Sequence, residues 1–431
     1  MLIRIILTWC VFIAQSVAAT DDLMSLVNET LTVDPRIQSA QFGANIGRAR
    51  EQQALSVLYP QVGVTANWTE NDRTVDGGSN DSFPGERYSL VVRQTLFDKA
   101  KYHGWQRSKF VTSQFDSQQM STESEVLQEL VERYFGLIEA GEQVSYVTAE
   151  KRSTEQRLIQ IQTLFDRQRV KVTDLLQTQA RLDSLYSDEI EAINLQDIAK
   201  AALSELIERT PQHIAKLRSE INYPTESESL DYWLAQAVQF NTKLNELQYS
   251  IGAAGQAIKQ EQSGYYPTVE LQLTRQQSNI GFENSQATNT RTDTIGINLN
   301  IPLYSGGQTR ARIYETTQQL LATQSQYERE HRLISKRVKE SYLSIISSLR
   351  RMDAMKKAIQ SAEKSQQAMN RSFDLGVATV IDVLDVDQEL RRVKRDLQKV
   401  KYQYITTRTA LYALAGRLDQ TYLEQINDWL E

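Results

Sequence analysis

The sequence contains few of the residues that interrupt helices or support enzyme chemistry. Its 431 residues include one cysteine, three histidines, seven prolines and eighteen glycines. The histidines (His103, His213 and His331) have no metal-ligand spacing, and we find no Gly-rich phosphate loop or Ser/His/Asp grouping. The formal net charge is −6, so the chain lacks the excess of basic residues that is typical of a nucleic-acid-binding protein. The composition therefore predicts no enzyme activity, no metal or other cofactor and no nucleic-acid partner.

The single cysteine lies in an N-terminal segment with the features of a secretory signal. Arg4 precedes an apolar run over residues 5–13, and Val17-Ala18-Ala19 forms a small-residue cleavage site. The run is too short for a spanning helix, which needs about 20 apolar residues. Residues 1–19 are therefore predicted to be a signal peptide. The mature chain is then expected to have no thiol, no disulfide and no N-terminal lipid.

Glycine and proline are absent from two long stretches, residues 143–210 and 308–375. Helical patterns this long are typical of coiled coils or helical repeats. We predict long helices over 99–165 and 308–374, each roughly 100 Å long at about 1.5 Å per residue. Each long helix is followed by a turn and a returning helix.

Sequence features recur at a nearly constant offset, which predicts two copies of one structural unit. Tyr59-Pro60 recurs 207 residues later as Tyr266-Pro267, and Phe165-Asp166 recurs 208 residues later as Phe373-Asp374. Each copy is predicted to contain a short helix (21–57 and 229–262), two strands separated by a polar loop (71–86 and 278–292), and a long helical hairpin. Repeat 1 is predicted over 20–210, with strands at 59–70 and 87–97 and a helical tip at 166–173. A linker over 211–228 leads to repeat 2 over 229–416, with strands at 266–276 and 293–303 and a helical tip at 374–381. A C-terminal segment follows over 417–431.

The four predicted strands have one apolar and one polar face. Val62, Val64, Ala66 and Trp68 alternate with polar residues and glycine, and the other strands follow the same period of two. The pattern allows either a small sheet on a soluble core or a membrane β-barrel. The long helices offer no globular core, and the polar face carries Asn, Gln, Thr and Gly rather than the Lys and Glu of a solvated face, which favours the barrel. The residues predicted to face lipid are Val62, Val64, Trp68, Leu90, Val92, Val269, Leu271, Ile295, Ile297 and Leu299.

Four strands are too few to form a barrel. Lipid does not tolerate open sheet edges, and barrels begin at about eight strands. A chain with four membrane strands must therefore share its barrel with other copies, and three copies give twelve strands. Oligomerisation follows from hydrogen-bond closure if the strands lie in a membrane.

The tip segments resemble a known family. Residues 373–385, with the sequence FDLGVATVIDVLD, resemble the second helical-tip motif of TolC-like outer membrane efflux proteins. Residues 165–176 form a weaker partner, and Tyr59-Pro60, Tyr266-Pro267 and residues 302–307 resemble the strand boundaries of that family. The resemblance extends over essentially the whole mature chain in the right order.

The resemblance implies a mainly α fold with β-structure: a homotrimeric channel-tunnel with a twelve-stranded β-barrel in the outer membrane, continuous with a long periplasmic α-helical barrel. Such proteins contact outer membrane lipid, a periplasmic adaptor (membrane fusion) protein and an inner-membrane transporter of the ABC, RND or a similar class. The implied function is a passive exit duct for efflux or type I secretion that moves small toxic compounds or proteins out of the cell. The alternative is a soluble periplasmic coiled-coil adaptor or scaffold.

The resemblance also suggests functional residues at the periplasmic end. Asp382 and Asp385, three residues apart on one helix face, and Asp174 in the first tip are predicted gate carboxylates. A trimer would bring six carboxylates from Asp382 and Asp385 to one ring that favours cations. The alternative is an ordinary solvated helix surface. The predicted adaptor contacts are Arg167, Gln168, Val172, Thr173, Leu375, Gly376, Val377 and Thr379.

Two departures from the family pattern concern the tips. Gln168 stands where the second tip has Gly376, so the first turn is expected to be built differently. Phe373 and Ala378 stand where family members often carry a tyrosine and an arginine that contact the first tip. The closed state is therefore expected to be held by fewer polar contacts.

Overall fold

The computed structural model describes residues 21–431 except 75, 79–80, 219–220 and 280–288, so the predicted signal peptide lies outside the described residues. Helices predominate, and the strands form one sheet. In chain order the elements are α1 (Leu23–Val33), α2 (Pro35–Ser56), β1 (Gln61–Arg73), β2 (Asp81–Phe97), α3 (Lys99–Asp166), α4 (Val172–Ile207), α5 (Leu230–Phe240), α6 (Thr242–Gln262), a short 3-10 helix (Ser263–Tyr265), β3 (Thr268–Ser278), β4 (Thr290–Asn300), α7 (Gln308–Asp374), α8 (Val380–Leu414) and α9 (Gln420–Asn427).

The prediction of a single helix over 21–57 is wrong, because the helix is interrupted at Asp34, between α1 and α2. Asp34 is extended, with ψ of 120°. A residue before a proline is biased against the helical region, and Pro35 suits the first position of a new helix because that position needs no N–H donor. The Asp34 carboxylate accepts from the amide of Arg36 at 2.8 Å and caps the new start.

The predicted helix over 229–262 is likewise two helices, α5 and α6. Asn241 is extended, and its side-chain oxygen accepts from the amides of Lys243 and Leu244, both at 3.1 Å. Asparagine is a strong N-cap, so it starts α6 inside an otherwise continuous helical pattern.

The sheet has the order β1-β2-β3-β4, and all three neighbouring pairs are antiparallel. One register row runs across the whole sheet through Val62, Val92, Leu273 and Ile295. Within the described chain β1 and β4 are its edges. The apolar residues of all four strands therefore share one face.

The strand boundaries differ from the sequence prediction in two places. The predicted loop over 71–86 is largely a strand hairpin, in which Asn71 pairs with Phe83 and Asp72 with Ser82. Backbone pairing continues there because it satisfies polar main-chain groups whatever the side chains are. At the other end β4 stops at Asn300, before Pro302, which has no N–H to donate to a ladder. Residues 280–288 of the predicted loop over 278–292 lie outside the described residues.

The long helices are continuous, with 68 residues in α3 and 67 in α7. The returning helices α4 and α8 have 36 and 35 residues. None of the described helices combines the length and apolar composition needed to cross a membrane. The predicted C-terminal segment contains a helix of its own, α9.

The described chain divides into two compact units. The first comprises residues 21–38, 123–237 and 336–431, and its core contains the fully buried side chains of Leu23, Tyr134, Trp233 and Tyr404. This unit contains the helical tips.

The second unit comprises residues 39–122 and 238–335 and contains the sheet with its adjoining helix segments. Its helices approach closely: a Cβ at Gly252 would lie 2.5 Å from Cδ1 of Phe110, and one at Gly47 would lie 3.0 Å from Cδ2 of Phe115. Only glycine allows this contact without rearrangement of the aromatic rings.

Candidate functional sites: the helical tips and the two faces of the sheet

The first helical tip is a tight turn with a left-handed residue. Gln168 has φ of 58°. Its amide donates to the carbonyl of Phe165 at 2.8 Å, and the amide of Arg169 donates to the carbonyl of Leu164 at 2.9 Å. These two bonds satisfy carbonyl groups that the end of α3 would otherwise leave unpaired.

The second tip has the same geometry. Gly376 has φ of 76°, its amide donates to the carbonyl of Phe373 at 2.9 Å, and the amide of Val377 donates to the carbonyl of Ser372 at 2.9 Å. The expectation that the first turn is built differently is therefore wrong. The first tip adopts the same turn with Gln168 in a conformation that glycine adopts at lower cost.

The returning helices begin differently after these turns. Thr379 is the N-cap of α8 and forms a capping box with Asp382. The Asp382 carboxylate accepts from the Thr379 hydroxyl at 2.6 Å and from the Thr379 amide at 2.8 Å. These bonds to the Thr379 hydroxyl and amide hold the pKa of Asp382 below its ordinary value. Asp382 thus has a structural role in addition to its predicted role at a gate.

The first tip has no such cap. α4 begins at Val172, its N-cap is Lys171, and no side-chain bond caps it. A lysine side chain has no acceptor, so it cannot receive a helix amide. Asp174 lies in the first turn of α4, at the position that corresponds to Asp382 in the second tip.

The predicted gate carboxylates are accessible on their helices. Asp382 and Asp385 are exposed on α8, and Asp174 is half-buried on α4. Asp387, two residues beyond Asp385, is buried instead and accepts from the Gln366 amide at 2.8 Å. One chain contributes an exposed pair, and the formation of a ring stays a prediction.

The tips expose large apolar side chains. Leu375 is 80% and Val377 82% exposed, and Val172 and Leu176 of α4 are also exposed. All of the residues predicted to contact an adaptor are exposed: Arg167, Gln168, Val172, Thr173, Leu375, Gly376, Val377 and Thr379.

Phe373 contacts an arginine of its own chain. The Arg157 guanidinium lies 5.4 Å from the centre of the Phe373 ring, and its Nη2 lies 3.5 Å from Oδ1 of Asn370. A cation over an aromatic face is attracted by the ring quadrupole. This contact joins α3 to α7 near the tips without the hydroxyl that a tyrosine would supply.

On the inner strands β2 and β3 the apolar face is the more exposed one. Leu273 is exposed, whereas its polar neighbours Gln272 and Thr274 are half-buried. On the edge strands Val64 is 74% and Ile295 75% exposed. A sheet of a soluble protein shows the opposite pattern, with its apolar face against the core. The residues predicted to face lipid all share this face: Val62, Val64, Trp68, Leu90, Val92, Val269, Leu271, Ile295, Ile297 and Leu299.

An aromatic pair and then charges border the apolar face on the side away from the helices. Trp68 and Tyr88 meet edge to face with centroids 5.8 Å apart, and the Trp68 indole N–H donates to the Tyr88 hydroxyl at 3.1 Å. The Tyr88 hydroxyl donates to Glu86 at 3.3 Å. On β3 and β4 the border is an ion pair, with Arg275 Nε 2.6 Å from Asp293 Oδ1. Tryptophan and tyrosine are enriched at membrane–water interfaces.

The polar face contains arginines that the sequence prediction left out. Arg87 and Arg93 alternate with Tyr88, Leu90 and Val92 on β2, and therefore belong to the polar face. The prediction of a face of Asn, Gln, Thr and Gly is incomplete. The period of two already contains the signal that places both arginines there.

Comparison with known proteins identifies the family. The sequence profile described as outer membrane efflux protein matches residues 26–208 and 233–417. The chain belongs to the outer membrane efflux protein family. This membership confirms the predicted family, its outer membrane location and its role in efflux. Among the described residues no group of His, Cys, Asp and Glu could hold a metal ion.

Related proteins align with nearly the whole chain. The outer membrane protein TolC of Escherichia coli is 24% identical over 427 residues, which cover 96% of this chain and 86% of TolC. The alkaline protease secretion protein AprF of Pseudomonas aeruginosa is 27% identical over 443 residues, which cover 99% of this chain and 92% of AprF.

Solved structures share the fold. The CmeC outer membrane channel of Campylobacter jejuni superimposes with a TM-score of 0.81 at 14% identity, over 95% of this chain and 89% of CmeC. The outer membrane protein VceC of Vibrio cholerae gives a TM-score of 0.80 at 16% identity, over 91% of this chain and 96% of VceC. At these identities the likeness establishes the fold: mostly helix, with a four-stranded antiparallel sheet in each chain.

Proposed function

We propose that this chain is one subunit of a homotrimeric exit duct in the outer membrane, through which cargo from an inner-membrane transporter leaves the cell. The observation that carries the proposal is the inverted burial of the sheet, whose apolar face is exposed and whose polar face is the less exposed one on β2 and β3. Such a sheet is stable when lipid covers the apolar face and water the polar one.

The open edges of the sheet support the trimer. β1 and β4 are the edges of the described sheet, and each leaves one row of backbone groups without a strand partner among the described residues. Lipid offers no hydrogen bonds, so these groups need strands of neighbouring subunits. Three chains of four strands form a closed barrel of twelve.

The helices form the periplasmic part of the duct in this proposal. The exposed apolar side chains of the tips, led by Leu375 and Val377, suit contact with a periplasmic adaptor protein, since clustered exposed apolar residues often mark interaction sites. Asp382 and Asp385 of the second tip and Asp174 of the first tip supply negative charge at the entrance and favour cations there. No step in this function requires catalysis.

The names of the relatives support two classes of cargo without deciding between them. One relative, AprF, is named for secretion of alkaline protease, and CmeC is described as an outer membrane channel. In this proposal the duct serves either a type I secretion system with an ABC transporter or an efflux pump of the RND or a similar class. Proteins and small toxic compounds are both compatible with a passive duct.

A cross-linking experiment tests the trimer directly. Thr65 lies on the polar face of edge strand β1, and Thr294 lies on the polar face of edge strand β4. In a barrel of three chains, Thr65→Cys with Thr294→Cys brings thiols of neighbouring subunits together. A short thiol-reactive cross-linker should then give covalent trimers in outer membrane fractions. Thr292→Cys and Gly296→Cys test the two adjacent registers between subunits.

The control pair joins strands of one chain. Thr65 of β1 pairs with Ser89 of β2, so Thr65→Cys with Ser89→Cys should cross-link within one subunit and give no covalent dimers or trimers on gels. The alternative function, a soluble periplasmic coiled-coil adaptor, predicts monomers in the soluble fraction for every pair. That result would reject the exit duct.

A further inference from the structure

We propose that Arg87 forms an anion-binding ring in the lumen of the barrel, so that the outer part of the duct favours anionic groups on its cargo. This inference rests on the proposed trimeric duct, because only the trimer places three copies of Arg87 around one lumen. It adds a second ring of charge, opposite in sign to the acidic ring proposed at the tips.

Arg87 has neutral neighbours on the polar face. In the strand register it lies between Asn67 of β1 and Ser278 of β3, and Thr290 of β4 completes the row. These residues offer hydrogen bonds and no charge. The Nε of Arg87 is buried without a hydrogen-bond partner among the described residues. A guanidinium has five N–H donors, so the Nη groups beyond the buried Nε provide the donors for an anion.

The other charges of the described sheet do not neutralise Arg87. The ion pair of Arg275 and Asp293 lies on the apolar face, and Glu86 accepts from Tyr88 on that same face. Among the described strand side chains of the polar face, Glu270 is the carboxylate.

Distance along the strands decides which arginine Glu270 affects. Arg87 pairs with Ser278, and Arg93 pairs with Gln272. Glu270 is thus eight residues from the row of Arg87, about 27 Å, and two residues from the row of Arg93, about 7 Å, at about 3.4 Å per residue. The Debye length is about 8 Å at physiological ionic strength. Glu270 therefore offsets Arg93 and leaves Arg87 as net positive charge.

The dimensions of the barrel bring this charge to the transport path. Twelve strands about 4.8 Å apart and tilted by about 40° enclose a wall about 24 Å across. No point of the lumen is then more than about 12 Å from the wall, and a long side chain extending inward brings its charge within about one Debye length of the axis. Rings of arginine or lysine are a known means of anion selection in pores.

Block of single channels by a multivalent anion tests the proposal. Purified trimers are inserted in planar bilayers, and inorganic tripolyphosphate is added to each side in turn. We expect it to block the wild-type channel from the side of the strand hairpins. Arg87→Gln should raise the half-blocking concentration about tenfold, the change that loss of one charge-assisted hydrogen bond causes. Arg87→Lys, which keeps the charge, should retain most of the block.

Matched variants separate this effect from general loss of charge. Arg93→Gln should change the half-blocking concentration less than twofold, because Glu270 already offsets Arg93. Each variant is first checked for trimers on unheated gels, and Arg87→Lys serves as the folded reference if Arg87→Gln assembles poorly. Equal block of wild type and Arg87→Gln, or an equal loss of block in Arg93→Gln, would overturn the ring. A wild-type protein that forms no trimers or no channels would refute the duct itself.

Discussion

Replacing Glu226 with glutamine should strongly destabilise the first of the two compact units, because it leaves a buried arginine without its counter-charge. Arg408 of α8 and Glu226, in the segment between α4 and α5, form an ion pair of 2.6 Å whose side chains are only 6% and 7% exposed. The guanidinium also lies 4.8 Å from the ring centre of Tyr412 and 5.2 Å from that of Tyr422. Burial opposes the charge of Arg408, but the hydrogen bond to Glu226 and the electrostatic attraction of Tyr422, Glu226 and Tyr412 together outweigh it and keep the pKa of Arg408 above its ordinary value.

The magnitude follows from burial and distance. Two unit charges about 4 Å apart attract by about 4 kcal/mol at an effective dielectric constant of 20. Removing one partner of a buried pair typically costs about 3–5 kcal/mol, because the remaining charge stays desolvated. We therefore expect Glu226→Gln to lower the free energy of unfolding by about 3–5 kcal/mol. Replacing both Glu226 and Arg408 by leucine should cost less than either single change, since no charge is left buried.

Urea unfolding of the detergent-solubilised protein, followed by far-ultraviolet circular dichroism, measures these differences. The exposed pair of Arg332 and Glu328 on α7 is the matched control, with side chains 77% and 54% exposed. Glu328→Gln should change stability by less than about 0.5 kcal/mol. A double-mutant cycle of Glu226 and Arg408 should give a coupling free energy of at least about 2 kcal/mol. The reasoning would be refuted if the stability changes of the two single variants added up to that of the double variant, or if Glu226→Gln lost as little stability as Glu328→Gln.

The helical tips give three further predictions. Gln168→Gly should stabilise the first turn by about 0.5–1 kcal/mol, and Gly376→Gln should destabilise the second by a similar amount, because both positions have positive φ; thermal unfolding of the two variants should shift in opposite directions. Thr379→Ala should cost about 1 kcal/mol of helix stability and raise the pKa of Asp382 toward its ordinary value, measured by NMR titration. Because the folded pKa of Asp382 is lowered, this cap stabilises above about pH 4 and is lost as the pH falls through that pKa; an unchanged pKa in Thr379→Ala would contradict the assignment. Asp382→Ala with Asp385→Ala should weaken cation selectivity, read as a smaller reversal potential in a salt gradient, and an unchanged potential would count against the carboxylate ring.

The alternation of apolar residues predicts the four strands because it shows which residues of a strand share one face, whichever strand lies next to it. It does not report how far backbone pairing continues, so the polar ends of β1 and β2 extend beyond the apolar pattern. Helix periodicity has the same limit. The apolar pattern continues through Pro35 and Asn241, although a new helix starts at each, because a single extended residue leaves the apolar spacing nearly intact.

The tips show which details of a turn the sequence can predict. Glycine at position 376 signals a positive φ, whereas Gln168 gives no such signal and still adopts the same conformation. Two hydrogen bonds to the end of α3 hold Gln168 there, and those bonds are visible only in the structure. The same holds for Arg87 and Arg93: alternation places both on the polar face, but only strand register shows that Glu270 lies beside Arg93 and far from Arg87.

The exposed apolar residues of α4 extend the closure argument from the sheet to the helices. Leu176, Tyr186, Ile190 and Ile193 are all exposed in the chain, and Ile190 is 70% exposed. The last three are spaced by four and three residues, which is the seam of a coiled coil. Burial of each such side chain stabilises by about 1.5–3 kcal/mol, so a chain that leaves the seam open forgoes a large share of its stability. In the proposed trimer a neighbouring subunit closes the seam, and the same assembly that completes the hydrogen bonds of the sheet completes the packing of the helices.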